Sequence, residues 1–151
     1  MSKHHDAELI LKLYELRREP VMRDARNWFF TFNPQGPQDF LDALTSEKSG
    51  YYRMVISYWD MAASLVNNGA IDAQMFNDAN GEHLFVFSKL EPFLEDLRRE
   101  SGNPEFLAHL EKVVKEIPNY EQKIATLRAR ISKLVEVYQQ RARMQAAAAE
   151  A

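Results

Sequence analysis

Three places in this 151-residue chain hold side chains whose types and spacing could do chemistry. Glu105 and His109 lie four residues apart, a spacing that on a helix sets a carboxylate and an imidazole side by side as metal ligands. Glu82 and His83 are adjacent, and neighbours on a helix point about 100° apart, so they make a poor chelating pair. Arg53, Ser57, Asp60 and Ser64, spaced by four, three and four, collect into one narrow polar stripe. That stripe is either the strip of a mostly buried helix that reaches water, or the floor of a polar groove. In the second case Asp60 is enclosed and needs a partner, expected to be an arginine from another helix, because an unpaired buried carboxylate is costly.

None of these sets is completed elsewhere. The H-E-x-x-H pattern is absent, and a di-metal carboxylate bundle needs a repeated Glu-x-x-His that does not occur. The run Asp78-Ala79-Asn80-Gly81 has some of the residues of a calcium loop, but the first ligand position would fall on Phe76. There is no glycine-rich phosphate loop and no G-x-S-x-G. Glu95 and Asp96 read as a solvated helix face, and His4 and His5 as exposed residues of a terminus. No cysteine is present, so there is no disulfide framework or thiol nucleophile. No catalytic residue, metal ligand or cofactor is assigned.

The element that must position the stripe is Tyr51 to Val66, YYRMVISYWDMAASLV, where every residue outside the stripe is apolar or aromatic. Such a helix has to be covered on several sides. Asn67, Asn68 and Gly69 end it. Before it, Asp6 caps a helix to Arg18 carrying Leu9, Ile10, Leu13 and Leu16. Pro20 opens another over about 21–32, in which Arg17, Arg18, Arg23 and Arg26 give the entry a basic face. A short helix over 37–44 buries Phe40, Leu41 and Leu44, and a loop covers 45–50.

After it, Asp72 caps a short helix with Met75 and Phe76. Glu82 to Arg99 is strongly amphipathic, with a kink near Ser88 or a break at Glu91 expected from Pro92. Asn103 and Pro104 start a helix to Glu116. Beyond Pro118, the residues Tyr120, Ile124, Leu127, Ile131, Leu134 and Tyr138 alternate by four and three, a heptad seam narrow enough to meet one neighbouring helix. The alanine-rich tail from Arg141 is expected to fray. The fold class is all-α: an irregular bundle of six or seven helices around a buried central one over residues 1–118, with a long C-terminal helix over 119–151 as part of that domain or as a projecting extension.

Net charge is −3, but residues 119–151 hold six Lys or Arg against three Glu, so this arm is +3 and the remainder −6. The acidic body argues against nucleic acid as a partner. No apolar run approaches the length of a membrane span, and the N-terminus lacks the pattern of a signal peptide. A cytoplasmic address is therefore expected.

Two blocks, LYELRREPVMRDARNWF (13–29) and YYRMVISYWDMAASLVNNGAIDAQMFND through GEHLFVFSKLEPFLEDLR (51–98), resemble a family of uncharacterised bacterial helical domains. The resemblance implies a helical fold in a bacterial protein and carries no activity. It also implies relatives that often sit behind a membrane anchor, whereas no anchor is expected here, which argues against a membrane-associated role. The expected function is a non-enzymatic interaction or regulatory module, with a protein partner or self-association through the C-terminal helix. The alternative is a small enzyme or metal-binding protein with a pocket near Asp60.

Overall fold

Apolar side chains at helical spacing, cut by proline and glycine, dictate a chain of mostly short helices, and the computed structural model, which describes residues 2–151, shows them. In order they are α1 (Lys3–Arg17), α2 (Pro20–Thr31), α3 (Pro37–Thr45), α4 (Ser49–Asn67), α5 (Ala73–Ala79), α6 (Glu82–Leu90), a 3-10 turn (Glu91–Phe93), α7 (Leu94–Ser101), α8 (Ala108–Lys115) and α9 (Tyr120–Glu150). No strand occurs among the described residues. The chain divides into two compact units, Met1–Pro118 and Asn119–Ala151.

In the first unit α4 is the central element. It buries Tyr52, Val55, Ile56, Trp59, Ala62, Ala63 and Val66, and α2 and α8 pack along it, with α3 and α5 on further sides. Phe40 from α3 meets Phe32 and Tyr52, while Trp59 meets Phe76 of α5 and His83 of α6. Burying each such ring contributes roughly 1.5–3 kcal/mol, more than any difference in local propensity. Met61 is the exception on this helix and is exposed.

Several elements differ from expectation. Ser2, whose hydroxyl accepts from the His4 amide, caps α1, so Asp6 falls inside the first turn. Leu41 and Leu44 of α3 are exposed and the core takes Phe40 and Ala43; Leu9 and Leu16 of α1 are exposed as well. Pro92 produces the break at Glu91, dividing the amphipathic stretch into α6 and α7 and giving more helices than six or seven. Gly102, at φ 67°, closes α7 in the left-handed conformation that glycine adopts at no steric cost.

The largest departure is α8, which starts at Ala108 rather than after Asn103. Leu107 is buried with φ 57°, a backbone state that costs a non-glycine residue about 1–2 kcal/mol. Tertiary hydrogen bonds hold it there: Arg98 Nε donates to Phe106 O at 2.9 Å, and Leu110 N donates to Asp60 Oδ1 at 3.0 Å. In the second unit α9 continues to Glu150 without fraying, because alanine is the strongest helix former.

Candidate functional site

The polar stripe of α4 borders a groove of about 470 Å³ whose other wall is the turn before α8, with Asn103, Glu105, Phe106 and Leu107. Arg53 and Ser57 are exposed, while Asp60 and Ser64 are half-buried. Three of the four stripe residues have a local partner: Arg53 Nε donates to Ser49 Oγ, Ser57 Oγ to Met54 O and Ser64 Oγ to Met61 O. The partner of Asp60 is the Leu110 amide and not an arginine. No side chain of α8's own N-terminus caps it, so Asp60 supplies from α4 the acceptor that those orphan amides need.

Glu105 and His109 are not brought together as a ligand pair. Their four-residue spacing presupposed a helix, and the left-handed Leu107 interrupts it. His109 is exposed and its Nδ1 lies 3.1 Å from Asn67 Nδ2, while the same amide donates to His109 O at 3.2 Å. His5 is exposed, 3.5 Å from Glu8. No group of three His, Asp or Glu able to hold a metal ion occurs among the described residues.

His83 is fully buried in the core, edge-on to Phe76. Its Nε2 lies 2.8 Å from Asn77 Oδ1, which fixes the proton on that nitrogen and leaves Nδ1 as a buried acceptor without a partner among the described residues. Burial lowers its pKa from 6.5 to about 4. Beside it, Glu82 receives Arg26 Nε on both carboxylate oxygens at 3.0 Å and has Arg17 Nη1 at 3.8 Å. This half-buried triad ties α6 to the last residue of α1 and to the middle of α2. It takes two of the four arginines of the basic face and gives them a structural task.

Lys89 ties α6 to the C-terminal end of α2. Its Nζ is buried and donates to the carbonyls of Phe29, Phe30 and Phe32, closing the last turn of the helix, where only Phe29 O also receives an amide, that of Phe32. It also lies 4.6 Å from the centre of the Phe85 ring. Burial lowers its pKa from 10.5 to about 7, whereas three carbonyl acceptors match the three N–H of an ammonium group. Neither Lys89 nor the Glu82 triad was singled out from sequence. The only signal was a lysine amid Val86, Phe87 and Leu90, at a position where a helical period calls for an apolar side chain.

On α9 the six seam residues grade from covered to open. Ile124 is 1% exposed, Tyr120, Leu127 and Ile131 are half-buried, and Leu134 and Tyr138 are 39% and 58% exposed. Met144 further on is 72% exposed. At 100° per residue, Lys123, Arg130 and Arg141 run along one edge of this face, and all three are exposed.

These contacts define an all-helical domain whose buried polar side chains close the ends of neighbouring helices. The chain belongs to the DUF4760 family, a domain of unknown function, whose model matches residues 3–117. That match stops one residue short of the end of the first unit at Pro118 and leaves α9 outside it. No curated protein and no solved structure matches the chain.

Proposed function

We propose that this chain is a non-enzymatic interaction or regulatory module in which α9 is the element that meets a partner, either another protein or a second copy, by coiled-coil packing. The observation that carries the reading is the heptad seam whose outer half, Leu134 and Tyr138, is open to solvent on a helix of 31 residues. The groove beside Asp60 supports an enzyme less well. Its carboxylate is engaged with a backbone amide, and the Ser57 hydroxyl donates to Met54 O. The lack of cysteine fits a cytoplasmic setting, and no helix of the described residues is long and apolar enough to cross a membrane.

The test compares the full chain with a Leu134→Lys, Tyr138→Lys variant in two measurements, solution mass by light scattering and proteins recovered with it from the native host. The expected result is an association that the variant loses while its helical circular dichroism is unchanged. A wild-type monomer that recovers nothing the variant does not would refute the reading.

A further inference from the structure

We propose that the α9 seam docks an acidic amphipathic helix of a different protein rather than a second copy of this chain. The inference rests on the reading of α9 as the interaction element and goes on to choose its occupant. The residues flanking a heptad seam decide which helix can lie against it, because they face the partner's flanking residues at the edge of the apolar contact. On one edge of α9 these are Lys123, Arg130 and Val137; on the other they are Glu121, Arg128 and Val135. The next position of the first edge is Met144, and Arg141, three residues after Tyr138, continues the seam itself with a base. The edges thus offer bases and valines, with one carboxylate at the far N-terminal end.

A second α9 cannot answer those bases. Laid parallel, it sets Lys123 beside Arg128 of the other copy and Arg130 beside Val135, one repulsion and no attraction. Laid antiparallel with all six seam residues paired, it sets Arg128 against Arg128 and Arg130 against Arg130. Shifted so that only residues 127–138 pair, it faces both arginines with valine. The one antiparallel register that brings Glu121 to Arg128 centres on Ile124 and Leu127, pairs only residues 120–131 and leaves Leu134 and Tyr138 uncovered. Lys123, Arg130 and Arg141 make no ion pair among the described residues. A helix with leucines at its seam and glutamates at its edges meets both requirements, covering Leu134 and Tyr138 and placing carboxylates opposite Lys123 and Arg130.

The test uses the full chain and two synthetic helical peptides of about three heptads, with leucine at the seam positions and either glutamate or lysine at all edge positions. Fluorescence anisotropy at low salt should show the glutamate peptide binding at least about tenfold tighter than the lysine peptide, with the gap closing as salt is raised. An Arg130→Glu, Arg141→Glu variant, both sites being exposed, should reverse the preference, and Leu134→Ala should weaken binding of the glutamate peptide. Equal affinity for the two peptides would overturn the proposal, as would tighter retention on phosphatidylglycerol vesicles than on the glutamate peptide. A dimer of the full chain that Leu134→Lys dissociates would overturn the choice of partner and leave the interaction reading standing. No binding to either peptide, by a chain that is monomeric and recovers no host protein, would remove both.

Discussion

Acid should unlock the core of the first unit through a single residue, His83. Burial holds its pKa at about 4 against 6.5 for the unfolded chain, and a second proton would land on Nδ1, which has no acceptor among the described residues. Because the folded value is the lower one, the unfolded state takes up the proton first as pH falls. The stabilising preference for the neutral ring is therefore fully present above about pH 6.5, erodes between there and pH 4, and is gone below. Two and a half units at about 1.4 kcal/mol each give about 3 kcal/mol, a large part of a typical total of about 5–15. The assay is urea unfolding followed by circular dichroism at several pH values, comparing wild type with His83→Gln, which keeps a donor for Asn77 and does not titrate. The wild-type advantage should shrink by about 3 kcal/mol between about pH 7 and 4. Parallel stability curves with a constant offset would refute the reasoning, because carboxylates elsewhere contribute equally to both proteins.

Three further outcomes follow from the same contacts. Lys89 titrates at about 7 when folded and 10.5 when unfolded, so its contribution rises with pH, and wild type should gain about 3 kcal/mol over Lys89→Met between about pH 7 and 9.5. A difference independent of pH in that range would mean that the three carbonyls of α2 keep the ammonium charged. Asp60→Ala should cost about 1 kcal/mol in chemical denaturation through the lost cap of α8, while Asp60→Asn, still able to accept from Leu110 N, should cost less; equal losses would exclude the capping role. Gly102→Ala should cost about 1 kcal/mol although the new methyl meets nothing within 4 Å, since the penalty lies in the backbone at φ 67°, and an unchanged midpoint would show that α7 ends differently in solution.

The helical periods of α2, α4 and α6 were legible because they arise from burial of one face, which spacing alone records. The break at Pro92 and the stop at Gly102 were legible for a local reason, a missing amide and a missing Cβ. Leu107 was not, because nothing in a leucine signals a left-handed backbone; that state exists only once Arg98 and Asp60 arrive from other elements. The exposure of Leu41 and Leu44 was equally hidden, since a nine-residue helix has too few turns for spacing to say which apolar positions reach the core. Asp60 was recognised as needing a partner, but arginine was expected where a backbone amide stands. Sequence separation of 50 residues between Asp60 and Leu110 puts such a bond beyond any local pattern.

The way this chain spends its polar residues follows from helix length. Every helix leaves four amides and four carbonyls without partners inside it, whatever its length, so a body of short helices has many orphan groups for its size. In the first unit several charged side chains are drawn into that deficit. Asp60 serves the start of α8, Lys89 the end of α2, and Asp6, through its carboxylate, the Asp72 amide at the start of α5. A carboxylate or amine held this way has its lone pairs or protons committed and its position fixed by two helices at once, which suits it to locking the fold and leaves it poorly placed to exchange protons with a substrate. The 31 residues of α9 have a single pair of ends, and its exposed Lys123, Arg130 and Arg141 make no ion pair among the described residues. On the reading we propose, those three bases are the ones left for a partner.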